Sequence, residues 1–188
     1  MKGFLINAGI RHLEKTYDEL SIDELLSSLD PPPGGVYSPM GDYPDTTLRD
    51  MIEIASSLIG VPSSKVSKVI GVIVFSELLA MNILWVEQSK NTFEMLQNHD
   101  ECLNTISEQA FPGFIAPSFK CHEVSPDRLE VDYQSTFLHA DIAKGLIDAM
   151  VVYYKESIAI ETVKMDSPEG CNQQFILRRN IGNSQAVG

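Results

Sequence analysis

Residues 111–137 constrain the fold of this chain more than any other segment. Pro112 and Pro117 stand among aromatic and small residues in the first half, so that half cannot form a continuous helix. A polar turn at 125–127 follows, and apolar residues then alternate with polar ones at Leu129, Val131 and Tyr133. This period of two is typical of a half-buried strand. Because helical patterns lie on both sides, the chain must combine helices with a sheet that begins here.

Five helices are predicted before this segment and one after it. Apolar residues recur every three or four positions at about residues 4–17, 21–29, 46–59, 64–80 and 89–109, and again over 139–154. Alternation predicts two further strands, over 157–165 and 173–179, joined by a turn at 166–170. This order indicates an α+β fold in which a small antiparallel sheet packs against helices. We expect one domain over residues 1–180 and a flexible tail at 181–188.

Polar residues and glycine predict where several helices begin and end. Ser21, with Glu24 three positions later, is typical of a capping box at the start of the second helix. Asp45 or Thr46 is the expected cap of the third helix, and Gly60 is expected to end it. Ser89 is expected to open the fifth helix. The helix over 64–80 is apolar nearly all round, which predicts a central position.

The composition excludes several classes of partner. A net charge of −12 in 188 residues argues against nucleic acid and anionic membranes, since both require clustered lysine and arginine. The longest apolar run, 69–84, is too short and too polar to span a bilayer, and residues 1–7 lack the apolar core of a signal peptide. Three cysteines, at 102, 121 and 171, have no metal-site spacing and fit a reducing compartment. We therefore expect a cytoplasmic protein.

Several segments, in their order and spacing, resemble the haem-nitric oxide/oxygen binding (H-NOX) family, which includes the sensory domain of soluble guanylate cyclase. The resemblance covers nearly the whole chain and rests on residues 1–8, Tyr43-Pro44-Asp45, Phe111-Pro112-Gly113, residues 116–121 and Tyr133-Gln134-Ser135. It implies an H-NOX-like fold, in which a helical N-terminal part packs on a C-terminal antiparallel sheet with one helix. It also implies a haem pocket between the two parts, with Pro117, Tyr133 and Ser135 at pocket positions.

Two positions depart from the family pattern. Eight residues before Pro112, where the family carries the histidine that binds haem iron, this chain has Asn104. Asparagine is a poor iron ligand, because haem iron is held from below by a neutral imidazole. At the arginine position of the family's Tyr-x-Ser-x-Arg motif, which pairs with the haem propionates, this chain has Phe137. We therefore expect no cofactor; haem remains only as the alternative.

His99 is the nearest candidate for a displaced iron ligand. On a regular helix it lies roughly 140° around and about 7.5 Å along from Asn104, so it cannot take the same place. Polar neighbours at 98, 100 and 101 indicate a solvent-facing side chain. His12 and His139 are expected at the surface. His122 alternates with Cys121 on a predicted strand, so the two point to opposite faces, and no pair of histidines has a recognisable metal-ligand spacing. No metal site is predicted.

Three functions follow from these observations. The first is a stand-alone H-NOX-like sensory module that does not bind haem in the family's manner, whose pocket is empty, filled or used by an apolar small molecule. The second is a haem-based nitric oxide/oxygen sensor with a displaced ligand. The third, an enzyme, lacks any phosphate loop, nucleophile elbow or metal motif in the sequence, and we do not expect catalysis. By resemblance, the partner is a separate signalling protein, a histidine kinase or a cyclic-nucleotide or dinucleotide enzyme.

Overall fold

The N-terminal part of the molecule is helical. The computed structural model describes residues 3–16, 19–29, 36–44, 46–81, 88–100, 117–135, 139–164 and 171–180. Four helices come first: α1 (Gly3–Thr16), α2 (Glu19–Ser28), α3 (Thr46–Ile59) and α4 (Ser63–Met81). Across the described parts of the chain, no single helix is long and apolar enough to cross a bilayer. Helices α3 and α4 are long and apolar enough only when taken together, and a bend of 120° separates them.

The ends of these helices test the predicted caps. Gly60 ends α3 with a φ of +68°, a left-handed conformation that glycine adopts without a steric cost, which confirms the prediction. Thr46 is the first residue of α3, and Asp45 lies outside the described residues. The prediction of a capping box at Ser21 is wrong, because α2 begins two residues earlier, at Glu19, and Ser21 lies inside it.

The predicted helix over 89–109 is interrupted. Its described part is a short helix, α5 (Thr92–Gln97), followed by a turn at Asn98 and helical backbone at 99–100. The cap is Asn91 rather than Ser89: its side-chain oxygen accepts a hydrogen bond from the N–H of Glu94 at 3.0 Å. The Glu94 carboxylate in turn accepts from the N–H of Lys90 at 2.9 Å. This reciprocal arrangement satisfies N–H groups before and inside the first turn.

The C-terminal part contains a four-stranded antiparallel sheet and one helix. The strands are β1 (Ser118–Ser125), β2 (Arg128–Ser135), β3 (Ile158–Lys164) and β4 (Cys171–Arg179), in the order β1-β2-β4-β3. Helix α6 (Ala140–Tyr153) lies between β2 and β3 in the chain, with His139 as its cap. The α+β prediction is confirmed. The predicted turn at 166–170 lies outside the described residues.

One face of the sheet contributes to the core because its side chains alternate. On that face, the buried residues of the two central strands are Leu129, Val131, Tyr133, Ser135, Phe175 and Leu177. Register places Tyr133 of β2 opposite Phe119 of β1. The predicted inward face of β2 is therefore confirmed.

Helices α4 and α6 cross at two glycines. A side chain at Gly71 would meet the carbonyl oxygen of Ile142, and one at Gly145 would meet the carbonyl oxygen of Lys68. The two backbones therefore approach closely only because neither position carries a Cβ. The predicted central position of α4 is confirmed, since it packs on α1, α3 and α6, but one flank is open at Val69 and Val72.

Arg179, the last residue of β4, joins three parts of the fold. Its guanidinium carbon lies 4.1 Å from the ring centroid of Phe93, a cation–π geometry. Its Nη2 donates to Asn91 at 3.0 Å, and its Nη1 donates to the carbonyl of Pro126 in the β1–β2 turn at 2.9 Å. Its Nε lies 3.5 Å from the carboxylate of Glu156, just after α6. We call this set of contacts the Arg179 clasp.

Candidate functional site

A cavity of about 50 Å³ lies where the helical part meets the sheet. Its lining divides into two walls. The helical wall comes from α1, α4 and α6 and consists of Phe4, Leu5, Val74, Leu78, Ile142, Ala143 and Leu146. The aromatic wall consists of His99, Pro117, Phe119 and Tyr133. The glycine crossing of α4 and α6 positions most of the helical wall, and the first two strands position Phe119 and Tyr133 of the aromatic wall.

His99 is buried, with 1% of its surface exposed, and the prediction of a solvent-facing side chain is wrong. Its ring centroid lies 4.3 Å from that of Phe119. Its polar neighbours suggested exposure, but its position on the helix face decides its burial. His99 follows buried Met95 by four residues and buried Leu96 by three, so it lies on the same face as both. That spacing was visible in the sequence and was the signal that could have identified His99 as a wall residue.

Burial determines the charge state of His99. It lowers the pKa of the imidazole below its ordinary value, and this outweighs the opposing influence of the Asp100 carboxylate, whose Oδ1 lies 3.5 Å from Nδ1. The imidazole is therefore neutral near pH 7. A neutral imidazole can pack in an apolar wall, and it is also the form that binds metals.

Asp100 fixes the beginning of β1. Its carboxylate accepts hydrogen bonds from the Phe119 N–H at 2.8 Å and from the Ser118 hydroxyl at 2.9 Å. Burial tends to raise the pKa of this carboxyl group, but hydrogen bonds from His99, Phe119 and Ser118 prevail and hold its pKa below the ordinary range. The ionised carboxylate thus connects the chain at His99 to the edge strand that supplies Phe119.

The structure brings three of the residues named from the sequence to the cavity: Pro117, Tyr133 and His99. Tyr133 is 2% exposed, and its ring lies 5.0 Å from that of Phe119 and 6.1 Å from that of Phe175. Ser135 is buried two residues further along β2, on the same face of the sheet, but is not among the described lining residues. Asn104 and Phe137 lie outside the described residues, and the roles of all these residues stay predictions.

The remaining histidines and the described cysteine form no second site. His139 is exposed at the cap of α6, which confirms its predicted surface position. The side chain of His122 is 63% exposed, and its Nε2 lies 3.5 Å from Oδ2 of Asp132. His12 is half-buried rather than exposed. Burial, and secondarily nearby carboxylates, raise the pKa of the Cys121 thiol to about 12, which leaves it unreactive. Within the described ranges, no three histidine, cysteine or carboxylate side chains are grouped as metal ligands.

Comparison with known proteins identifies the family. A family model described as Haem-NO-binding matches residues 2–162, most of the chain. The chain belongs to the Haem-NO-binding family. It is thus an H-NOX domain, and the family consists of haem-based gas-sensing modules that commonly work with partner signalling proteins such as kinases or cyclases. A search of curated proteins gave no match.

Solved structures of H-NOX proteins share the fold. An Fe(II) unliganded mutant H-NOX protein from K. algicida has a TM-score of 0.87 at 19% identity, over 97% of this chain and 98% of that one. The H-NOX from Shewanella woodyi, in an Fe(II)CO state with IWP-051 bound, has a TM-score of 0.81 at 22% identity, over 100% and 99%. An S. oneidensis H-NOX protein in the Fe(II)NO state has a TM-score of 0.85 at 16% identity, over 96% and 99%. At these identities the likeness establishes the fold alone.

Proposed function

We propose that this H-NOX domain is a sensory binding module that does not hold haem in the family's manner. The observation that carries the proposal is the cavity: about 50 Å³ remains between the helical wall and the aromatic wall. A porphyrin is far larger, since pockets for ligands of drug size measure about 300–1,000 Å³. Haem binding would therefore require the two walls to separate.

The polar groups near the cavity support the same proposal. Its described lining contains no arginine or lysine that could pair with propionates. Tyr133 and Ser135 retain hydroxyls, but the sequence has Phe137 where the family has its arginine. Removing one partner of a buried ion pair costs about 3–5 kcal/mol. Together with Asn104 in place of the iron ligand, this loss would weaken haem binding by several orders of magnitude.

A separate signalling protein is the proposed receiver of the signal. Family members commonly act with kinases or cyclases. For this chain we propose a histidine kinase or a cyclic-nucleotide or dinucleotide enzyme, which would supply the catalytic output. The domain itself would contribute binding and a change of conformation rather than turnover.

A second candidate function is a haem sensor in which His99 binds the iron. The specific observation in its favour is that His99 lies buried in the aromatic wall as a neutral imidazole, the form required of an iron ligand. This candidate retains the family's cofactor with a different ligand, and it requires the cavity to expand around the porphyrin.

Absorption spectroscopy separates the two candidates. The protein is produced in cells supplied with a haem precursor, purified and examined for a Soret band. We expect a nearly colourless protein, and a stoichiometric Soret band would contradict the proposal. If a band appears, His99→Ala should abolish it under the second candidate, whereas the exposed control His139→Ala should leave it unchanged. A combined Asn104→His and Phe137→Arg variant that gains the band would show that these two positions account for the loss.

A further inference from the structure

We propose that the cavity is itself a binding site for one small, uncharged, apolar molecule of about the size of a xenon atom, held directly by side chains. This inference rests on the proposed function and specifies its ligand class. Three features of the molecule support it: the size of the cavity, the chemistry of its two walls and its position between the two parts of the domain.

The volume of the cavity limits the ligand to a few heavy atoms. About 50 Å³ exceeds the roughly 10–15 Å³ that a single water requires, but is well below the roughly 150 Å³ of an engineered apolar cavity that holds benzene. A ligand of two or three heavy atoms can bind no tighter than about millimolar, given the maximum affinity per atom observed for very small ligands. We therefore expect a weak, rapidly exchanging site.

The chemistry of the walls favours an apolar occupant over water. A buried water needs about two to four polar partners. Apart from the imidazole of His99 and the hydroxyl of Tyr133, the side chains of the described lining residues are apolar. Because burial keeps His99 neutral, no charged side chain in the described lining would attract an ion or a strongly polar ligand.

The position of the cavity couples occupancy to both parts of the domain. A molecule between Leu78 and Phe119 would contact α4 on one side and β1 on the other. The amide of Phe119 is also the donor to Asp100, next to His99. A ligand would therefore contact the ring of Phe119, and the backbone N–H of the same residue is held by the Asp100 carboxylate. The Phe119 amide is thus a local reporter of binding.

Xenon is the probe for this site, and the full chain is the protein used. The 129Xe chemical shift and the amide shift of Phe119 are followed by NMR as xenon pressure rises. We expect both shifts to saturate in parallel in the wild-type protein. Ala143→Leu, which adds three carbons inside the cavity, should weaken binding at least tenfold. Ala80→Leu adds the same atoms at an exposed position of α4 and should bind as the wild type does.

If Ala143→Leu does not fold, Leu78→Ala serves instead: enlarging the cavity should allow benzene, which is too large for the wild-type cavity, to bind. Absence of saturable xenon shifts in wild type, or equal shifts in wild type and Ala143→Leu, would overturn the inference. Either result would overturn the xenon site alone: a protein without a Soret band would still be a haem-free H-NOX module. A stoichiometric Soret band would instead refute the proposed function, whether or not xenon binds.

Discussion

The two walls of the cavity are held in place by different kinds of interaction. The helical wall depends on apolar packing and on the close crossing at Gly71 and Gly145. The aromatic wall depends on tilted and edge-to-face contacts between rings and on hydrogen bonds to Asp100. Apolar contacts are non-directional and sensitive to lost volume, whereas a buried polar network is sensitive to charge and pH. The same cavity should therefore respond to two separate classes of perturbation.

The largest expected effect comes from removing volume from the helical wall. Leu146→Ala deletes buried atoms next to an existing cavity, and such changes cost about 2–5 kcal/mol of unfolding free energy. Urea denaturation measures the loss. Val152→Ala on the same helix is the control, because Val152 is 76% exposed and should change stability by less than about 0.5 kcal/mol. Equal losses in both variants would show that the helical wall is not a packed surface.

An intermediate effect is expected from neutralising the carboxylate behind the aromatic wall. Asp100→Asn replaces an ionised acceptor of two hydrogen bonds and should cost about 2 kcal/mol, within the range for hydrogen bonds to charged groups. Hydrogen exchange should also accelerate at the Phe119 amide. Asp148→Asn, which removes a partly exposed pair with Lys144, should cost no more than about 1 kcal/mol. Unchanged exchange at Phe119 would contradict the assigned role of Asp100.

The smallest expected effect is a pH dependence confined to the aromatic wall. Because the pKa of His99 is lower in the folded state than in the unfolded state, the unfolded chain binds more protons just below the unfolded pKa of about 6.5. Stability should therefore be highest above that pH and fall as pH decreases, by at most about 1.4 kcal/mol per pH unit. Urea denaturation at pH 7.5 and 5.5 should show this loss, and His99→Phe should reduce it. His139→Gln is the exposed control; an identical loss in all three proteins would contradict the prediction.

Hydrophobic periodicity predicted most of the fold. It identified α3, α4 and α6, the inward face of β2 and the pairing of the last two strands, because many residues contribute to each of those patterns. Predictions of helix caps were less reliable, because each depends on a single residue. Asn91 was missed in favour of Ser89 because several residues near that helix start can accept a backbone hydrogen bond, and only the folded chain selects one of them.

The candidate site was harder to predict because it depends on contacts distant in sequence. Tyr133 was identified as an inward-facing residue from alternation, and the structure confirms its burial. His99 was placed in solvent because the charges of its immediate neighbours were weighted above its spacing from Leu96. The hydrogen bonds from Ser118 and Phe119 to Asp100 had no sequence signal, since they join residues 18 and 19 positions apart across a segment that contains two prolines.

The Arg179 clasp also sets the order in which the molecule can be completed during synthesis. Asn91 and Arg179 are separated by 88 positions, so the cap of α5 waits for its guanidinium partner until the end of β4 has been made. At about 5–20 residues per second, this delay is roughly 4–18 s. During that interval α1, α3 and α4 can pack on one another, while the chain leading to His99 lacks one of its anchors. A nascent domain would therefore complete its cavity late, because the helical wall requires α6 and the chain before His99 gains its Arg179 contact only when the final strand arrives.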